Sequence, residues 1–319
     1  MDKSAFRKHR ILNTAQTALL MFGMSLLLGA LGWFLGGATG VLLAVSGVFV
    51  SLMFAPSMSP RFILRLYNAQ MLTSRDAPDL FAVLDSLARR AQLEREPELY
   101  YVPSPIINAF AVGSRDASAI ALTAGLLQKL NVREITAVLA HELSHIRYND
   151  MNVMGLADVF SRVTGLLSTT GQVLLVINLP LMLSGGRTIS WIVILILLVA
   201  PLLSALIQRG LSRAREYDAD LGAVELTGDV DGLASALKKI ERYQGRFFEQ
   251  IWMTGRRVPD PSLLRTHPPI EARVERLRKL AAVSTTTLPA GDSLRLPAQT
   301  FIETPMRSRP RWRVSGVWY

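Results

Sequence analysis

The chain has 319 residues, half of them hydrophobic and only 19% charged, with a formal net charge of +10. This composition excludes an intrinsically disordered protein and argues against an ordinary soluble domain, in which about a quarter of the residues are charged. The chain has no cysteine and only four histidines, so thiol chemistry is excluded and a histidine-based site must use most of the histidines.

The first apolar stretch lies between Arg10 and Arg61, where fifty consecutive residues carry no charge. A helix crosses a bilayer core with about 20 apolar residues, so this stretch is long enough to cross twice. The glycine-rich segment 36–40 predicts a turn between spans near 12–35 and 38–56. The apolar run continues directly into the second span, which favours an uncleaved anchor over a signal peptide.

Three glycines in this stretch are spaced four residues apart, at Gly32, Gly36 and Gly40. This spacing is found where two membrane helices approach closely, because glycine has no side chain to hold the backbones apart. The same glycines could instead simply form the turn. The sequence leaves both interpretations open.

A second pair of apolar stretches occupies residues 163–186 and 188–208, with Arg187 in the connection. Each stretch is long enough to cross the bilayer. Pro180 and Pro201 lie inside them, which membrane helices tolerate better than soluble helices do. The sequence therefore predicts four transmembrane helices arranged as two hairpins.

The distribution of lysine and arginine predicts the orientation. Basic residues are concentrated before the first span and after the second, and the loop between these spans has none. The positive-inside rule therefore places both termini and residues 61–162 in the cytoplasm. The net charge then fits an anionic lipid surface and requires no nucleic acid.

Residues 61–162 have the pattern of a mixed α/β region. Asp76 precedes Pro78 and a run of apolar residues at helical spacing, which predicts a helix start. A short strand is predicted at 99–102, and residues 106–112 and 117–122 form a predicted hairpin.

A second helix in this region is predicted to begin at Asn131, with Glu134 in capping-box position. It carries the pattern H-E-x-x-H, in which His141 and His145 lie one turn apart on one face and can hold a single metal ion. Glu142 lies beside that position and can take a proton from water. The alternative is a pair of surface histidines without any ligand.

A third ligand is needed, because a catalytic zinc takes three protein ligands and keeps one position open. No histidine follows closely, so a carboxylate must complete the set, and the candidate is Glu216 in the segment 212–220. Asp220 lies one turn later, where it could fix the tautomer of a ligating histidine. Two crossings between His145 and Glu216 would return both to one side of the membrane. The alternative for the segment 212–220 is a solvated charged helix that binds no metal.

Beyond the fourth span, helices are predicted at 209–225, 229–250 and 270–282. From residue 283 the chain is rich in serine, threonine, proline and arginine. We interpret this segment as a mobile basic tail. An interfacial anchor on anionic lipid is the alternative.

These residues resemble the HtpX-type integral membrane zinc metalloproteases, which are relatives of the eukaryotic CaaX-processing membrane proteases. The similarity extends over roughly residues 10–280 and rests on four ordered motifs. The motifs are NAFA at 108–111, HELSH at 141–145, SRAREYDAD at 212–220 and THPP at 266–269.

The resemblance implies one zinc ion per chain, held by His141, His145 and Glu216, with Glu142 as the general base. It also implies that an edge strand holds the substrate and that two further residues act on the oxyanion of the tetrahedral intermediate. The strand residues are Asn108, Ala109 and Phe110, and the oxyanion residues are His267 and Arg273. Each has a structural alternative: an ordinary edge strand, a histidine packed on Pro268, and an arginine on an exposed helix.

The expected fold is an α-helical membrane protein with four transmembrane helices and an α+β, zincin-like cytoplasmic catalytic domain. Its segments are residues 1–60 with the first hairpin, 61–162 with the edge strand and H-E-x-x-H helix, 163–208 with the second hairpin, 209–282 with the third ligand, and 283–319 as the tail.

The favoured function is a zinc endopeptidase of the bacterial inner membrane that hydrolyses peptide bonds at the cytoplasmic face. The resemblance implies misfolded or damaged membrane proteins as its substrates. A non-proteolytic membrane scaffold is the main alternative, although such a protein has no need of Glu142. An intramembrane protease is disfavoured because charged residues flank the motif closely and burying them in lipid is costly. A transporter is disfavoured because the apolar stretches contain no ionisable residue to line a path. The oligomeric state cannot be predicted.

Overall fold

A computed structural model of the chain describes residues 3–54, 60–185, 189–254 and 270–284. In these ranges the chain forms nine helices and one four-stranded sheet. The helices are α1 (Lys3–Phe54), α2 (Pro60–Leu66), α3 (Pro78–Arg90), α4 (Ala124–Lys129), α5 (Val132–Arg147), α6 (Asp150–Leu183), α7 (Trp191–Thr227), α8 (Val230–Thr254) and α9 (Ile270–Ser284). The strands are β1 (Gln70–Met71), β2 (Glu98–Val102), β3 (Ala109–Ser114) and β4 (Ala117–Thr123).

Helix α1 folds back on itself. Its helical backbone is interrupted at Gly36 and Gly37, and Gly37 has a φ of 59° and a ψ of −138°, which suits glycine. A Cβ atom added to Gly32 would lie 2.6 Å from the carbonyl oxygen of Gly40. Residues eight apart in a straight helix are about 12 Å apart along the axis, so the two arms of α1 form a hairpin. The glycines therefore serve both expected purposes, the turn and the close contact.

Three helices contain a segment long and apolar enough to cross a membrane, within the part of the chain that the structure describes: Ile11–Ser51, Asp150–Leu183 and Trp191–Thr227. Large apolar side chains point outward from all three, and Leu19, Leu166 and Ile192 are each 68% exposed. Such extensive exposed apolar surface marks a contact with lipid or another apolar partner. The count differs from the predicted four because the first hairpin is one helix with a break.

The later membrane helices are longer than the apolar stretches predicted. Helix α6 already begins at Asp150, and α7 continues from the apolar stretch through residues 209–225, where a separate charged helix was predicted. Pro180 and Pro201 lie inside these helices, as expected. Helix α7 is continuous, so the direction of its apolar half also sets the direction of its polar carboxyl-terminal half.

The sheet has the strand order β1-β2-β4-β3. The predicted hairpin is confirmed, with β3 antiparallel to β4 and Ala109 opposite Leu122. Strands β2 and β4 are parallel, and the two-residue β1, which the sequence did not predict, pairs with β2. Within the described residues, β3 therefore lies at an edge of the sheet.

Helix α5 begins as its sequence predicts. The side chain of Asn131 accepts from the backbone N–H of Glu134, and the Glu134 carboxylate accepts from the backbone N–H of Asn131, both at 2.9 Å. The helix then buries its apolar side chains in the main core with the inner face of the sheet and α3. The core residues of α5 are Ile135, Val138, Leu139, Leu143 and Ile146.

Candidate metal centre

Two histidines of α5 face each other at the centre of the candidate site. The Nε2 atoms of His141 and His145 are 3.2 Å apart, and the rings are nearly perpendicular. A spacing of four residues places both on one face of the helix. The opposite face is held in the core, so the histidine face has a fixed direction.

Helix α7 brings Glu216 to the same point. Its Oε2 lies 3.4 Å from Nε2 of His141, and its Oε1 lies 3.7 Å from Nε2 of His145. Zinc bonds of about 2.1 Å in a tetrahedral site place neighbouring ligand atoms roughly 3.4 Å apart. The observed distances fit that separation. Two imidazoles and a carboxylate are also a donor set that suits zinc.

A close contact between α5 and α7 makes this approach possible. A Cβ atom added to Gly222 would lie 2.8 Å from Cβ of Ser144 and 3.1 Å from the ring of Tyr148. Glycine at this position therefore lets α7 pack directly on the H-E-x-x-H helix. A larger residue at this position would overlap the side chain of Ser144.

A separate carboxylate lies against the far nitrogen of each histidine. Nδ1 of His141 is 3.2 Å from Oδ1 of Asp220, and Nδ1 of His145 is 2.8 Å from Oδ2 of Asp150. Carboxylates in this position fix the tautomer so that Nε2 is free to bind a metal. Asp220 was predicted for such a contact. Asp150 was not, although it follows His145 closely enough in sequence to be considered.

These carboxylates also affect the protonation of the histidines. Burial by itself would lower the pKa of His141, but the hydrogen bonds to Asp220 and Glu216 raise it to about 10. The pKa of His145 is also raised, by Asp150 and Glu216 against the effect of burial. The site is therefore rich in negative charge and favours a cation, and a metal ion would have to displace the proton because it binds neutral imidazole.

Arg273 of α9 also belongs to this cluster. The exposed-helix alternative for Arg273 is wrong, because the residue is only 3% exposed. Its guanidinium donates to both oxygens of Asp220, at 2.8 and 2.6 Å, and lies 3.1 Å from Oε2 of Glu216. Burial would lower the pKa of Arg273, but the charges of Asp220, Glu216 and Glu142 raise it. Arg273 is therefore a cation held at the edge of the metal centre.

Glu142 and the edge strand complete the described part of the site. Glu142 is half-buried on α5 between the two histidines. Asn108 is also half-buried and is fixed through its backbone, which bonds to Thr123. Ala109 packs against the core that contains α5, whereas Phe110 is buried on the other face of the sheet with Leu64. Phe110 can therefore meet a substrate on the α5 side only through its backbone.

Two of the sequence predictions lie outside the described residues. His267 and the surrounding 266–269 motif belong to the range between α8 and α9. The basic tail was predicted for residues 283–319; residues 283 and 284 belong to α9, and the remainder also lies outside the described residues.

The chain is similar to a known family of peptidases. The model of peptidase family M48 matches residues 74–281. The chain is 34% identical to a protease HtpX homolog of Methylibium petroleiphilum over 287 residues, covering 83% of this chain and 96% of the relative. The identity to homologs with the same name from Burkholderia multivorans and Polynucleobacter necessarius is 33%, over 84% of this chain and 97% and 96% of theirs.

Among solved structures, the crystal structure of Ste24p from S. mikatae is similar. The TM-score is 0.46 at 22% sequence identity, and the match covers 85% of this chain and 66% of that one.

Proposed function

The chain belongs to peptidase family M48 and is a membrane-embedded metalloprotease, and we propose that it is a zinc endopeptidase acting on membrane proteins at the cytoplasmic face. The observation that carries the proposal is the convergence of His141, His145 and Glu216, whose ligand atoms all lie within 4.8 Å of one another. A scaffold without activity is not favoured by the family or by this donor set.

The three residues would hold one zinc ion per chain. When bound, zinc lowers the pKa of a water molecule to about 7 and polarises the carbonyl of the scissile bond. Asp220 and Asp150 keep the two imidazoles oriented through their Nδ1 atoms.

Proton transfer is assigned to Glu142. Its carboxylate, beside the ligands on α5, takes a proton from the attacking water and later delivers it to the leaving amine. Arg273 supplies positive charge at the same centre and, with His267, stabilises the oxyanion. The buried pairing with Asp220 fixes the direction of the Arg273 guanidinium.

The substrate would bind as an additional strand along β3, from Asn108 to Phe110. A peptide at a sheet edge pairs through its backbone and is not read by sequence. Ala109 and Ala111 pack on the α5 side with small side chains. This arrangement suits broad specificity, as expected of an enzyme that removes misfolded proteins.

The two arms of α1, with α6 and α7, would make four crossings of the bacterial inner membrane. The basic flanks support a cytoplasmic location for both termini and the catalytic domain. The metal centre lies on α5 just before Asp150, the first residue of α6, so cleavage would take place close to the bilayer surface.

The ligand assignment is tested by measuring metal in the purified full-length protein. Glu216→Ala should retain little zinc after dialysis against a weak chelator, because only two ligands remain. Glu225→Gln, a change on the same helix outside the cluster, is the matched control and should retain one zinc per chain. Equal zinc content in both variants would place the third ligand elsewhere.

A further inference from the structure

Behind the metal centre lies a group of buried charged and polar residues, and apart from Asp150 the proposed chemistry gives its members no role. It begins at Asp150, which is 3% exposed and is the first residue of α6. One oxygen of Asp150 meets Nδ1 of His145 at 2.8 Å, and the other lies 2.9 Å from Nε of Arg215. The carboxylate thus joins a proposed metal ligand to a buried guanidinium.

Arg215 immediately precedes Glu216 on α7 and is 8% exposed. Adjacent helical residues point in directions about 100° apart, so Arg215 faces away from the metal position while Glu216 faces it. Its guanidinium also pairs with Asp218 and reaches Oγ1 of Thr17 at 3.4 Å. Arg215 therefore connects α6 and α7 to α1.

Asn13 of α1 completes the connection. It is 3% exposed, and its amide donates to Oδ1 of Asp218 at 2.7 Å. The carbonyl oxygen of the same amide accepts from Arg276 of α9 at 3.1 Å. Asn13 therefore lies between an acidic and a basic partner, and both halves of its amide are bonded.

Such a group is costly to bury and weak as a source of stability. Buried ion pairs seldom stabilise a fold more than apolar residues of the same size would, but they hold their members in one geometry. Partners that orient metal-binding histidines have a large effect on metal affinity. The group is connected to two of the proposed ligands. Asp150 contacts His145 directly, and Arg215 is adjacent to Glu216 in the chain.

We propose that Arg215 is a positioning residue that holds Asp150 against His145, and that Asn13 anchors both to the first membrane helix. Metal affinity then depends on how α1 packs against the catalytic domain. This inference rests on the proposed function, because it requires His145 to be a metal ligand. It adds a role for residues that do not touch metal or substrate.

The experiment measures zinc affinity in the detergent-purified full-length protein, by competition with a chelator of known affinity. The variants are Asp150→Asn, Arg215→Lys and Asn13→Ala. The control is Arg147→Lys, because Arg147 of α5 pairs with Glu225 of α7 and not with a member of this group. Thermal unfolding of the metal-free variants reports the purely structural effect, and the absorption spectrum of bound cobalt(II) reports the geometry of the ligands.

Asp150→Asn and Arg215→Lys should weaken zinc binding about 10- to 100-fold, shift the cobalt spectrum and lower kcat with little change in KM. Asn13→Ala should weaken binding in the same direction by less, and the control should stay within about twofold of the wild type. If Arg215→Lys does not fold, Asn13→Ala decides the question.

Unchanged zinc affinity and cobalt spectra in all folded variants would overturn the inference. A fall in affinity that is only proportional to a loss of metal-free stability, and that the control shares, would overturn it as well. A wild type that binds no zinc would instead refute the proposed function, so the two failures are distinguishable.

Discussion

Buried carboxylates lie at both ends of α5, and each has a specific partner. Asp220 and Asp150 lie against the histidines at the carboxyl-terminal half of the helix. Glu134 occupies the other end, where it is 2% exposed and accepts from Ser235 at 2.6 Å and from Lys239 at 2.8 Å. The same side chain closes the capping box. Glu134 therefore fixes where α5 starts and how α8 packs on it.

The carboxylate of Glu134 should make the free energy of unfolding depend on pH. Burial would raise the pKa of Glu134, but the bonds from Lys239, Ser235 and Asn131 lower it below its ordinary value of 4.5. A carboxylate with a lowered folded-state pKa stabilises the protein above the unfolded value, and that contribution is lost as pH falls through the folded-state pKa.

Glu134→Gln should therefore reduce the free energy of unfolding at neutral pH by about 1 kcal/mol, because glutamine can keep the capping box but loses the ion pair with Lys239. The difference from the wild type should shrink below pH 4.5, where the unfolded carboxyl is already protonated. Denaturant unfolding followed from pH 7 to well below pH 4.5 checks this, with Glu225→Gln as a control of smaller effect. A difference that grows on acidification would contradict the assignment.

At the scale of elements, the site depends on the contact between α5 and α7. Local patterns predicted α5 well, since its cap, its apolar face and its histidines all lie within one short segment. The continuous α7 was not predicted, because its composition changes sharply where the apolar stretch ends. The backbone nevertheless stays helical to Thr227, followed by Gly228 in a left-handed conformation. Packing on α5 supports this polar half.

Gly222→Ala tests the contact between these helices. The added methyl group would overlap the side chain of Ser144, so α7 must move away from α5. We expect a loss of about 1–3 kcal/mol in stability together with weaker zinc binding, measured by thermal unfolding and chelator competition.

Gly155→Ala on α6 is the matched control for this substitution, because its added Cβ would meet nothing within 4 Å. It should be neutral or stabilising, as alanine is favoured over glycine in a helix. If Gly222→Ala binds zinc as tightly as the wild type, the position of Glu216 does not depend on the close contact between α5 and α7.

At the scale of the whole molecule, the long apolar helices are continuous with the residues of the candidate metal centre. Helix α5 leads directly into α6, α7 carries Glu216, and α1 reaches Asp218 through Asn13. The sequence predicted the apolar stretches from composition, and motif spacing with the family resemblance indicated the three residues that cluster, His141, His145 and Glu216. It could not predict Asn13, Arg215 or the burial of Arg273, since their partners are distant in sequence and a polar residue alone does not reveal them.

The orientation of these helices is a testable prediction. Reporter fusions after residue 61 and within residues 61–162 should register as cytoplasmic, and a fusion at Gly185 should register on the opposite side. The reason is the bias of lysine and arginine toward the flanks of the first hairpin. A cytoplasmic signal at Gly185 would mean that α6 and α7 do not cross the membrane, and a periplasmic signal after residue 61 would overturn the predicted orientation.

The most direct test of the central claim compares the purified wild type with Glu142→Gln. Bound zinc is quantified in both, and cleavage of an unfolded model protein is followed by mass spectrometry, with Glu225→Gln as the control. We predict one zinc per chain in all three proteins, cleavage by the wild type and the control, and a loss of about 10²–10⁴-fold in Glu142→Gln. Cleavage by Glu142→Gln at the rate of the wild type, or a wild type without metal, would contradict the account.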